Sequence, residues 1–156
     1  MGCEQKTSAS CRVMPPTYFL VALVIVVATR FVLPWLAWAT PASLAIGAAV
    51  VVTGAALNLG SDAAFKKRGT AVSPDATPSA LVSDGVFRVT RNPMYLGMTL
   101  ILAGAALLAG EPVALVTAAV FAAVMARSFI PVEERNLERA FGADYRAYKT
   151  SVRRWV

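Results

Sequence analysis

The chain has 156 residues, of which 57% are apolar and only 15% charged, with a formal net charge of +6. A soluble domain carries about 25% charge, so this composition excludes an ordinary water-soluble domain, and the length supports one domain, not two. Histidine is absent, which removes the usual general base and the commonest metal ligand, and no metal site is expected.

In chain order, residues 1–16 form a polar tail without the charged start, apolar core and cleavage site of a signal peptide. Its Cys3 and Cys11 have no spacing partner for a metal or a disulfide framework and read as reduced thiols. Thr17–Trp38 is the first expected span, with Tyr18 at one end and Trp35 and Trp38 at the other, as an aromatic belt places them. Pro41–Gly60 is the second span, followed by a polar connection over Ser61–Pro93. Met94–Gly110 and Val113–Ile130 are the third and fourth, joined by a short turn at Gly110-Glu111-Pro112. Pro131 is expected to break or kink the last of these. Beyond it, Leu137, Phe141, Tyr145, Tyr148, Val152 and Trp155 recur at three- and four-residue steps, the pattern of an amphipathic helix over Val132–Val156. The fold class expected is therefore all-α, with about four transmembrane helices and a C-terminal amphipathic cytoplasmic helix.

The charge can then be placed. Basic residues sit in the tail, the long connection and the C-terminal segment, while both short turns lack Lys and Arg. With four spans, all the basic segments share one face, which the positive-inside rule makes cytoplasmic, both termini included. The charge reads as topology and anionic-lipid contact, not as nucleic-acid binding. Gly47 with Gly54, and Gly97 with Gly104, each keep one helix face small for close packing. Arg30 lies inside the first span, where a charge is costly; it either snorkels outward or faces a polar cavity.

Two polar clusters resist explanation by packing. Arg91, Asn92 and Tyr95 crowd the first turn of the third span, with Pro93 at a helix-start position. Free backbone N–H groups and the helix dipole favour an anion there, Arg91 can fork a carboxylate, and Asn92 can cap the helix. The alternative is an interfacial cap with a snorkelling Arg. Glu133 and Glu134 follow the fourth span directly, where they can cap a helix start or hold a cation, with Arg127 a candidate partner for one of them and on the face of Glu134 if the helix continues through Pro131. The short turn makes spans three and four a hairpin, which returns the Glu pair to the face of Arg91–Tyr95, with Leu81–Arg88 lying over both. One pocket results, lined by cationic, anionic and aromatic groups and open to lipid on its flank.

The order LVSDGVFRVTRNPMYLG (Leu81–Gly97), EERNLERAFGADYRAY (Glu133–Tyr148) and VRRW (Val152–Trp155) resembles the isoprenylcysteine carboxyl methyltransferase family. The related phospholipid N-methyltransferases share its layout. The resemblance spans Phe65–Val156 and implies a multispan helical enzyme that uses S-adenosylmethionine on the cytoplasmic side and methylates a lipophilic acceptor from the bilayer. Carried over by position, it implies cofactor-binding roles for Asn92, Pro93, Tyr95, Gly97, Glu133, Glu134, Tyr145 and Tyr148, and catalytic roles for Arg91, Glu133 and Glu134. The enzymes it resembles carry His where Asn92 stands; Asn cannot titrate, so hydrogen bonding to the cofactor survives there and proton transfer does not. A carboxylate acceptor is ionised at pH 7 and requires no base, so the lack of His leans toward a prenylcysteine-like carboxylate over a phospholipid amine or a lipophilic thiol. The alternative from another class, a small four-span transporter, has only Arg30 as a mid-membrane ionisable group.

Overall fold

The computed structural model describes residues 14–32, 39–69 and 80–156. The Cys3 and Cys11 tail, the Trp35 and Trp38 belt, and the centre of the long connection lie outside the described residues. Five helices make up the rest: α1 (Pro15–Val32), α2 (Pro41–Lys67), α3 (Pro93–Ala109), α4 (Pro112–Val124) and α5 (Ile130–Ser151), with no strand among the described residues. Proline opens α1 to α4, where its missing N–H is harmless and its fixed φ suits a helix start. By length and hydropathy, α1, α2 and the continuous rod begun by α4 are each able to cross a membrane, and α3 is a shorter apolar helix. This is an all-α membrane protein.

The first turn of α2 is closed by a capping box, with Ser43 N donating to Thr40 Oγ1 at 3.1 Å and Thr40 N to Ser43 Oγ at 2.9 Å. The helix does not end at Gly60 but runs on to Lys67. Its added turns are polar yet helix-compatible: Asp62 pairs with Lys66 at 2.6 Å along one face, and Ser61 Oγ donates back to Leu57 O at 2.7 Å. That extension carries Phe65 over the site. Along the α2–α3 crossing the four small residues meet in pairs. A Cβ on Gly54 would lie 2.6 Å from Gly97 O, and one on Gly104 would lie 2.7 Å from Gly47 O. Backbones therefore touch where side chains elsewhere hold helices 8–10 Å apart.

Helix α3 ends at Gly110, whose left-handed φ of 69° turns the chain into α4. Ala106, Ala114, Ala118, Phe121, Met125 and Leu102 fill the space between these helices and α1. Arg30 finds the acidic group of this turn: its Nη1 lies 4.0 Å from Glu111 Oε1, with the Glu111 side chain fully buried. Arg30 itself stays half exposed, so it bridges the turn carboxylate and the surface.

Pro131 does not break the rod. A π turn over Met125–Phe129 precedes it, closed by Ile130 N donating to Met125 O. The wider turn makes room for the proline ring and needs no N–H from it. The turn also leaves Arg127 exposed, and the expected Arg127–Glu134 pair does not form. The expected single helix over Val132–Val156 is corrected twice. The chain turns a corner at Gly142 (φ 51°, ψ −115°), a conformation outside the regions open to L-residues. After Ser151 it becomes extended, with Val152 at φ −126°, ψ 135°.

Candidate cofactor and active site

The hairpin brings the two polar clusters together around a cavity of about 220 Å³. Its walls are the start of α1 (Pro15, Pro16), the end of α2 (Phe65), the 3₁₀ turn Gly85–Arg88 (Phe87), the start of α3 (Arg91 to Tyr95, Met98) and both arms of α5. Eight of the nine residues expected at the site line it: Arg91, Asn92, Pro93, Tyr95, Glu133, Glu134, Tyr145 and Tyr148. Gly97 does not. Its α-carbon faces α2, where an added Cβ would meet Asn58 Nδ2 at 2.6 Å and Gly54 O at 2.7 Å, so it serves the helix crossing.

Neither carboxylate caps a helix: the rod runs on helically from the π turn into α5, and no side chain caps its start. The two carboxylates diverge. Glu133 accepts a short hydrogen bond from the Tyr95 hydroxyl. Glu134 is forked by Arg154, from Nε at 3.1 Å and Nη2 at 2.6 Å, and Arg91 Nη2 stands 3.4 Å from Glu134 Oε1. The Arg91 and Glu134 side chains are only 10% and 8% exposed, so this contact is little screened by water. The Glu134 fork raises the pKa of Arg154. Two donors of Arg91, Nε and Nη1, are buried and have no hydrogen-bond partner among the described residues. A buried charged donor without a partner costs about 1–3 kcal/mol or more, and Arg91 is one of the residues that line the cavity.

Asn92 stands at the N-cap position of α3, but its side chain makes no cap bond. Its Nδ2 donates instead to Arg154 O at 3.0 Å, beside Thr90 Oγ1, which donates to the same oxygen at 3.1 Å. Arg91 N donates to Arg153 O at 3.0 Å. The extended segment after Ser151 thus straps the base of α3. Beyond the Gly142 corner, Tyr145 and Tyr148 stack obliquely with centroids 6.2 Å apart. Tyr148 Oη donates to Phe87 O at 2.7 Å, and Phe87 meets Phe65 edge-on at 5.3 Å. The described residues 81–88 of the connection between α2 and α3 therefore do lie over the cavity, pinned by Arg68 and Asp84, 3.2 Å apart. The Arg68 hydrogen bond holds the Asp84 carboxyl below its ordinary range.

Sequence reasoning missed Arg154, Thr90, Phe65 and Phe87 as parts of the site. Arg154 stood out only as one of several C-terminal cations; the one available signal was a buried Glu pair in need of a counterion. In charge, Glu134 is shared by two guanidinium groups, whereas Glu133 has only a neutral phenol among the described residues. The cavity is thus lined by the Arg91 guanidinium and the Glu133 and Glu134 carboxyl groups, between aromatic and apolar walls. Such a site suits a molecule that carries a carboxylate, a cationic centre and a flat ring system.

Comparison with known proteins gives the same direction. The family model described as phospholipid methyltransferase matches residues 42–144, two thirds of the chain, with α2 to α4, the Glu pair and the first arm of α5. An uncharacterized protein of Haemophilus influenzae is 41% identical over 63 residues, which are 40% of this chain and 100% of that one. No solved structure matches.

Proposed function

The chain belongs to the phospholipid methyltransferase family, and from that premise we propose that the cavity binds S-adenosylmethionine and passes its methyl group to a lipophilic acceptor. The observation that carries this reading is that Arg91, two of whose buried donors have no hydrogen-bond partner among the described residues, lines the same cavity as Glu133, which is bonded there by the Tyr95 phenol. Arg91 takes the carboxylate of the cofactor's amino-acid end. Glu133 faces its cationic groups, and the partly exposed Tyr148, backed by the buried Tyr145, offers a ring face to the base. Bound there, the cofactor supplies an electrophilic methyl group whose leaving group is a neutral thioether. The protein's share is alignment and exclusion of water. Asn92 cannot move a proton; it holds the α3 start in place through Arg154 O.

The acceptor's apolar tail takes the wall of Pro15, Pro16, Met94, Met98 and Leu137. A prenylcysteine-like carboxylate is already ionised and requires no base. One observation favours a second acceptor: Glu133 is a carboxylate in the cavity wall with only a phenol as partner among the described residues, a group able to receive the proton of a phospholipid amine. The family match supports methyl transfer and not transport. We place the cavity on the cytoplasmic face, where exposed Lys66, Lys67, Arg68, Arg146 and Lys149 meet anionic headgroups. Radiolabelled S-adenosylmethionine incubated with the purified protein and membrane lipid extracts tests the reading. A base-labile product identifies a carboxyl ester and a base-stable one an amine or thioether. No protein-dependent label in any lipid fraction would overturn it.

A further inference from the structure

The partners of Glu134 are unequal. Arg154 bonds both of its oxygens, whereas Arg91 makes a single longer approach from Nη2. Remove the Arg154 fork and Glu134 becomes a buried carboxylate with one distant partner, a state that costs several kcal/mol if left alone. The nearest relief is the Arg91 guanidinium, equally buried and with Nε and Nη1 unspent. Turned onto Glu134, Arg91 would lose those donors to the protein's own anion. We propose that Arg154 is a positioning residue: by saturating Glu134 it reserves the Nε and Nη1 donors of Arg91 for the carboxylate of the bound cofactor.

This inference rests on the S-adenosylmethionine reading of the cavity and adds a residue that acts through another. The arrangement separates two roles of Arg154. Its carbonyl oxygen straps Thr90 and Asn92 and survives any side-chain substitution, while its side chain alone acts on Glu134. A side-chain variant therefore keeps the strap and changes only the competition for Arg91.

The test is equilibrium binding of S-adenosylmethionine and of decarboxylated S-adenosylmethionine to detergent-purified protein. Wild type should prefer the carboxylate-bearing form. In Arg154→Gln its affinity should fall about tenfold or more, the worth of a lost charge-assisted pair, while decarboxylated S-adenosylmethionine changes less than about twofold. Adding Glu134→Gln to Arg154→Gln removes the competing anion and should restore most of the preference. Arg154→Lys keeps the charge and should fall between wild type and Arg154→Gln; it carries the test if the glutamine variant does not fold. Equal losses for both molecules, no loss for either, or no recovery in the double variant would overturn the role of Arg154. Wild type that binds neither molecule would overturn the cofactor reading instead.

Discussion

Gly142→Ala isolates the corner that brings the second arm of α5 back to the cavity. A Cβ at this position would meet nothing within 4 Å, so the substitution acts on backbone conformation alone. At φ 51°, ψ −115° an L-residue is held in a sparsely populated region at a cost of about 1–3 kcal/mol. The chain could escape by straightening into one helix, but that would forfeit the Arg154 fork on Glu134, the Tyr148 bond to Phe87 O and the two bonds to Arg154 O. A charge-assisted bond is worth about 1.5–3 kcal/mol and each neutral one about 0.5–1.5 kcal/mol, which together exceed the strain. The corner should therefore persist in the variant and destabilise the protein by about 1–3 kcal/mol, a Tm loss of about 2–4 °C for each kcal/mol at this chain length. Thermal unfolding in detergent, with S-adenosylmethionine binding measured on the same sample, reads both parts. An unchanged Tm would refute the strain argument. A stable protein that had lost binding would show that the corner opens.

Other outcomes follow from the same geometry. Gly54→Ala drives a Cβ to 2.6 Å from the Gly97 carbonyl, a backbone atom that cannot rotate away, and should cost about 1–3 kcal/mol in detergent unfolding. Gly60→Ala meets only the Val86 Cγ1 tip at 3.0 Å and should cost less than Gly54→Ala; the reverse order would contradict the crossing. Tyr95→Phe removes the one hydroxyl bonded to Glu133 and should slow methyl transfer about 2- to 10-fold through a less well oriented carboxylate, with wild-type expression. The Arg68–Asp84 pair gives a pH signature. Asp84 is held below its ordinary value of 3.8, so its contribution is present above that pH and is lost as pH falls through its folded value. The Tm of Arg68→Gln should therefore sit slightly below wild type at neutral pH and converge with it in acid; a gap that widens in acid would contradict the pairing.

Much of this architecture was legible in the chain because it follows from local patterns. The long apolar runs, the glycine spacing and the Gly110-Glu111-Pro112 turn were enough to predict the hairpin, and with it the meeting of Arg91–Tyr95 with Glu133 and Glu134. Features that depend on competition between local preferences were not. Pro131 reads as a helix breaker until a π turn is seen to absorb it, and Gly142 reads as a tolerated glycine in an amphipathic pattern until its φ is known. Ser61–Lys67 is polar enough to resemble a loop, yet its i,i+4 pair and alanines keep it helical. The roles of Arg154 and Asn92 depend on contacts 20 and 62 residues away in the chain, which no local window contains. Gly97 sits in a motif whose resemblance points to cofactor binding, but its missing side chain is used by α2.

The central claim is that Arg91 holds the carboxylate of S-adenosylmethionine in this cavity. Equilibrium dialysis of radiolabelled S-adenosylmethionine against the detergent-purified protein tests it most directly, with wild type and Arg91→Gln side by side. Saturable binding to wild type, weakened about tenfold or more in Arg91→Gln, is the result predicted. Absence of saturable binding to wild type, or equal affinity in the two proteins, would contradict it.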